Sequence, residues 1–226
     1  MDFTLENLKS TIGIQPISSY IYNHLNTFYN DYLLVYTDAS KNINNNLGIS
    51  ICIPALKSYT SYRLSDFVSV SAAELFAIYN ALLISQSLGS SKVLILSDSL
   101  NSLKDIYFGS SRFFPELLND ILLFIKTNHR SFSFCYVPGH VGFSPHDVAD
   151  AYARKASYFT SVDLVLNLKY HEINDIIDKH FTHEWLNNYN LSDTGKEYLR
   201  FFHPPFHSNN LVFNKHRRKE IIYHRL

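Results

Sequence analysis

Apolar residues recur at Ile17, Ile21, Leu25 and Phe28, about one per helical turn, after a first 14 residues with no clear period. "DYLLVYTDAS" then gathers β-type residues into a short run closed by Asp38, Ala39 and Ser40, which predicts a strand. The turn-forming "NINNN" leads into a second strand, "LGISICIP", and "SYTSYRLSD" alternates as a third. Connections this short predict an antiparallel meander of three. The period then lengthens. "SVSAAELFAIYNALLISQSLG" reads as a helix capped by Gly89. "SKVLILSDS" is apolar without alternation, the mark of a strand buried on both faces. "SLNSLKDIYF" and "PELLNDILLFIKTNH" are helical, "SFSFCYVPGH" is a strand, and "PHDVADAYARKAS" is a helix with Pro145 near its first turn. This order predicts an α/β fold: one five-stranded mixed sheet, three strands antiparallel, with the first, fourth and fifth parallel at its centre and helices on its faces.

After about residue 160 the texture changes. "LVLNLKYHEINDIIDKHFTHEWLNNY" is helical, polar and histidine-rich, "HPPFHSNN" breaks it, and "NKHRRKEIIYHRL" is basic. The organisation expected is a lead-in over 1–30, a body over 31–160 and a helical and basic tail over 161–226. A chain of 226 residues with 46% hydrophobic content can bury a full core. Its 16 Tyr and 17 Phe suit a strand-rich interior. Twenty basic and twenty acidic side chains balance, so net charge neither announces nor excludes a nucleic-acid partner. Cys52 and Cys135 sit in apolar runs and read as buried free thiols of a reducing compartment. With no signal peptide and no run of the ~20 apolar residues that a bilayer requires, the expectation is a soluble intracellular protein of cytoplasm or nucleus, without membrane contact.

Four carboxylates draw the eye. In a sheet of this topology, ligands bind beyond the carboxyl ends of the central parallel strands. Asp38 closes the first strand and Asp98 the fourth; the fifth runs into His140 and the helix bearing Asp150. Glu74 lies one turn into the first long helix among Ala, Leu and Phe. Singly, each has an ordinary reading: Asp38 as a turn residue, Asp98 as a helix cap, Glu74 as a solvated helix residue, Asp150 as a first-turn acid facing the dipole. Together they deliver carboxylates from separate elements to one sheet edge, where they repel unless a cation lies between them. Oxygen ligands favour Mg²⁺, with Mn²⁺ as the second choice, over Zn²⁺. Such acidic clusters hold two ions, which points to metal-assisted phosphodiester hydrolysis with no organic cofactor.

The motifs "YTDAS", "AAELFAI", "LSDSLNSL" and "VPGHVGFSPHDVADAYARKA", in this order and spacing over residues 31 to 160, resemble type 1 ribonuclease H. The "VPGHVG" form and the tail are similar to the ribonuclease H domain of non-long-terminal-repeat (LINE-type) retrotransposon polyproteins. The resemblance implies endonucleolytic cutting of the RNA strand of an RNA–DNA hybrid, in a setting that can include a reverse transcriptase. It implies Asp38, Glu74, Asp98 and Asp150 as metal ligands, and His140 as a mobile proton carrier. Ser40, Ser71, Ser99 and Asn101 beside the acids are the candidates for contact with the 2′-hydroxyls that mark RNA. Where that family usually has Gly-Asn-Glu, this chain has Pro145, His146 and Asp147, and Ala39 replaces a usual glycine. A catalytically weak or inactive hybrid-binding module is the alternative. In the tail, "KHRRK" at 215–219 offers phosphate contacts and His180 with His183 a weak metal pair.

Overall fold

A computed structural model of the chain describes residues 1–8, 17–167 and 170–191. The described chain groups into a unit over Met1–Glu172 and a second from Ile173 onward. Helix α1 (Ile17–Phe28) precedes strands β1 (Leu33–Lys41), β2 (Leu47–Ile53) and β3 (Ser58–Arg63). Helix α2 (Val70–Gln86), strand β4 (Lys92–Ser97), helices α3 (Leu100–Phe108) and α4 (Pro115–Thr127), strand β5 (Ser131–Tyr136) and helix α5 (Ser144–Ala156) follow. Helix α6 (Tyr170–Leu191) runs from the end of the first unit into the second.

The sheet order is β3-β2-β1-β4-β5. β1 pairs antiparallel with β2, and β2 antiparallel with β3; β1–β4 and β4–β5 are parallel. The five-stranded mixed sheet is therefore as expected, except that β5 lies at an edge and not at the centre. The outer side of β5 takes one further partner. Asp2 N–H donates to Phe134 O at 2.8 Å, and Tyr136 N–H to Asp2 O at 3.0 Å, so the lead-in covers an otherwise open edge.

The sheet divides the core in two. On one face Val35, Ile49, Ile51 and Ile95 pack with Ala73, Ala77 and Ile78 of α2 and with α3 and α4. On the other, Tyr36, Leu94, Leu96 and Val137 pack with Ile17, Ile21 and Leu25 of α1 and with Phe143 and Ala149 at α5. Alternation along β1 and β4 sends neighbouring side chains to opposite layers, and each such buried Ile or Leu stabilises by roughly 1.5–3 kcal/mol. Cys52 and Cys135 are buried free thiols.

Three local expectations change. Phe28 is 64% exposed, and His24 takes an inward place in α1 instead. The reason is chemical: His24 Nε2 lies 2.6 Å from Asp2 Oδ2, and the Tyr29 hydroxyl donates to the same oxygen at 2.9 Å. Helix α2 stops at Gln86, with Ser87 as its cap; Gly89 keeps a negative φ and caps nothing. Arg130 donates to Gln86 O and Ser90 O and so fixes the turn from outside. Leu164 is not helical: it bridges Leu64 in parallel, while Asp163 accepts from Arg63 N–H at 2.8 Å.

Helix α5 sits unusually close to β2. A Cβ at Gly48 would lie 2.2 Å from Ala153 O and 2.4 Å from Ser157 N, so only glycine admits this contact. Ser50 Oγ donates to Ala149 O at 2.7 Å, and Asn42 Nδ2 to Ser157 O at 2.6 Å, fixing α5 at two further points.

Candidate active site

The parallel ladder between β1 and β4 ends at Tyr36 and Leu96. Asp38 and Asp98 each lie two residues past that last pair, so both strands put a carboxylate just beyond the same edge. Asp38 is 5% exposed, and Asp98 is half-buried. The Asp98 carboxylate rests against backbone: a Cβ at Gly139 would come within 2.2 Å of Asp98 Oδ2.

Glu74 reaches the site from α2, whose start is fixed by Ser69 Oγ accepting from Ala72 N–H at 3.2 Å. It is 7% exposed and does not lie on a solvated stripe. One carboxylate oxygen accepts from Ala39 N–H at 3.3 Å, while Oε2 is buried without a hydrogen-bond partner among the described residues. Ala39 lies within β1 at a negative φ, so the position usual for glycine costs no strain here.

Asp150 comes from α5, half-buried, with Arg154 donating to its Oδ2 at 2.6 Å one turn later. The loop before α5 is held by Val141 and Phe143, both buried, with Phe143 between the rings of Tyr22 and Tyr36. His140 is exposed on this loop at φ +57°, a left-handed conformation that non-glycine residues rarely adopt. Pro145 fits the first turn of α5, where its ring suits the backbone and its missing N–H is no loss.

The electrostatics agree with the geometry. The Asp38 carboxyl is pushed up to about 8, first by burial, then by Asp98 and Asp150, with Arg154 opposing. Glu74 is driven well above its ordinary range by burial and by Asp38 and Asp98, with only the Ala39 N–H opposing. Acids from β1, α2, β4 and α5 thus act on one another across one sheet edge. The arrangement suits a divalent cation: buried oxygens, an orphaned Glu74 Oε2, and too little positive charge to balance them.

One member was missed. Asp38, Asp98 and His146 place one potential ligand atom each within 4.8 Å of one another. His146 is 3% exposed, and burial lowers its pKa against the pull of Asp98, Asp147 and Asp150, with His140 adding to the lowering. The available signal was its spacing, because positions 146 and 150 are i and i+4 on one helix face.

The candidate substrate contacts are less uniform. Ser40 is half-buried on β1, while Ser71 and Asn101 are exposed at the starts of α2 and α3. The Ser99 hydroxyl shares a 2.8 Å hydrogen bond with Ser102 Oγ inside the α3 turn. His180 and His183 are both exposed on α6, and no third ligand joins them among the described residues. Residues 215–219 lie outside the described residues. No helix among the described residues is long and apolar enough to cross a membrane.

A family model described as RNase H matches residues 30–158. No curated protein matches the chain. Among solved structures, LC11-RNase H1, isolated from compost by a metagenomic approach, aligns at 17% identity and TM-score 0.47, over 56% of this chain and 98% of that one. LC11-RNase H1 in complex with an RNA/DNA hybrid aligns at 17% identity and TM-score 0.42, over 54% and 97%.

Proposed function

The chain belongs to the RNase H family, and from that premise we propose that it cuts the RNA strand of RNA–DNA hybrids internally, using two divalent cations at the acidic sheet edge. One observation carries the reading. Asp38 and Asp98 lie close together at the strand ends, and burial and repulsion extend from them to Glu74 and Asp150 with little positive charge to oppose it. Asp38, Glu74, Asp98 and Asp150 are the residues that would hold Mg²⁺, or Mn²⁺ in its place. When bound, such ions acidify water and neutralise charge on phosphate oxygens.

The chain's own groups divide the remaining work. Ala39 N–H holds one oxygen of Glu74 and leaves the other, buried, without a hydrogen bond among the described residues. Gly139 lets the Asp98 carboxylate lie flat against the loop backbone. His140, exposed on the loop before α5, carries a proton to the leaving oxygen of the cut RNA, a general-acid task that imidazole performs in many active sites. Ser40, Ser71 and Asn101 are placed to meet 2′-hydroxyls across the wide minor groove of an A-like duplex. Ser99 contributes its backbone, since its hydroxyl is occupied within α3.

The catalytic body is residues 31–160, with 1–30 as lead-in and 161–226 as tail. The setting is a LINE-type retrotransposon product that works beside a reverse transcriptase in cytoplasm or nucleus; the "VPGHVG" loop and the basic tail support this. A weak or inactive hybrid-binding module is a second reading, favoured by the Arg154 guanidinium already seated on Asp150.

The test is direct. Purified protein is incubated with an end-labelled RNA–DNA hybrid in Mg²⁺, in Mn²⁺ and with chelator. Internal cuts in RNA alone, abolished by chelator, are expected. An RNA strand that stays intact in both cations while the hybrid still binds establishes the second reading.

A further inference from the structure

Resting on the acidic site described above, we propose that His146 is a cation ligand alongside Asp38 and Asp98, and that its nitrogen tilts the site from Mg²⁺ towards Mn²⁺. His146 Nε2 is buried and has no hydrogen-bond partner among the described residues. It lies 4.0 Å from Asp98 Oδ1, too far for a hydrogen bond. The separation is within what one ion could span, since metal–ligand bonds of about 2.0–2.1 Å put two ligands up to about 4.2 Å apart. Asp38 completes the group, with all three ligand atoms within 4.8 Å.

The position is rigid. His146 stands in the first turn of α5, its N–H donating to Phe143 O at 3.0 Å, and Phe143 is anchored under Tyr22 and Tyr36. A buried ring nitrogen without a hydrogen bond among the described residues, grouped with two carboxylates, is placed to take a cation as its partner. Imidazole binds metal through the lone pair of an unprotonated ring nitrogen. The donor set then changes character. Carboxylate oxygens alone suit Mg²⁺, which also demands near-ideal octahedral oxygen geometry. A nitrogen in the set favours transition ions, and Mn²⁺ accepts both donor types.

The experiment uses the full metal-free chain. Mn²⁺ binding is followed by electron paramagnetic resonance, with pulsed detection of nitrogen coupled to the bound ion, and Mg²⁺ binding by calorimetry. His146→Asn and His146→Gln are compared with wild type, each checked for native melting, and Asp38→Asn serves as the site control. Wild type is expected to show imidazole nitrogen coupling that both His146 variants lose. Their Mn²⁺ over Mg²⁺ preference is expected to fall about ten- to a hundredfold, the scale for disturbing a metal ligand's support. Mn²⁺ held through oxygen alone in wild type, with Asp38→Asn abolishing it, overturns the nitrogen ligand and leaves the acidic site standing. Nitrogen coupling that survives in both His146 variants also overturns it. Absence of Mn²⁺ binding in wild type overturns both readings together.

Discussion

Asp2 and Asp38 are both carboxylates at the sheet, largely withdrawn from water, and they behave in opposite ways. The Asp2 side chain is 11% exposed, and burial alone would raise its pKa. Thr4 N–H, His24 and Tyr29 outweigh that and hold it down to about 2. Asp38 meets acids where Asp2 meets donors, and it is pushed up to about 8. The contrast separates two uses of a buried charge. A carboxylate ringed by donors fastens the lead-in to β5 and α1. One ringed by carboxylates is opposed in its charged form by burial and its neighbours and has the character of a binding group.

The comparison can be broken most severely at Asp38. Asp38→Asn is expected to reduce hybrid cleavage by about a thousandfold, the upper end of the range for losing one preorganised charge-handling group. Melting of the metal-free protein should hold steady or rise, because the change removes a carboxyl whose ionisation burial and its acidic neighbours oppose. A large fall in Tm would place Asp38 in the same class as Asp2. Gly139→Ala sharpens the site half of the contrast. Its methyl must displace the Asp98 carboxylate, so cleavage should drop about a hundredfold with little change in Tm, the scale expected for a misplacement of about 1 Å.

Asp2→Asn tests the other half. It should lower Tm by roughly 3–10 °C, by weakening a buried pair in a chain of this size, and leave cleavage intact. Because Asp2 is depressed below its ordinary 3.8, its contribution is complete above pH 3.8 and is lost as pH falls towards 2. A curve of Tm against pH should therefore lose part of its acid slope in Asp2→Asn; an unchanged slope would dissolve the distinction drawn above. The smallest effect is expected for Arg154→Ala. Its side chain is 61% exposed, so stability should change by less than ~1 kcal/mol, and Mn²⁺ affinity measured by calorimetry should tighten at most about fivefold.

Much of this was legible from residue patterns. β4 reads as a strand buried on both faces because "VLIL" has no polar position, and Val93 through Ser97 are buried. Asp38 and Asp98 could be placed because strand ends in such sheets carry the ligand side. Glu74 was ambiguous, since an acid among alanines suits either solvent or a site, and only the packing of α2 on β1 decides. Gly89 misled because a glycine after a helix is a cap only at positive φ, and Arg130, far along the chain, sets that turn. His24 and Asp2 were invisible as a pair across 22 residues. His146 looked like a mere departure from a family pattern, because its meaning depends on which face of α5 turns towards two strand ends.

The bare α-carbon at position 48 works as an index mark. At that point α5 and β2 meet main chain to main chain, so where the helix stops along the strand does not depend on which aliphatic groups fill the layer around it. Exchanges of one large apolar residue for another elsewhere should thus leave the span between the α5 and β1 acids untouched. A single added methyl at 48 would shift both ends of the helix face as one body, and the site would lose its gauge before the molecule lost its fold.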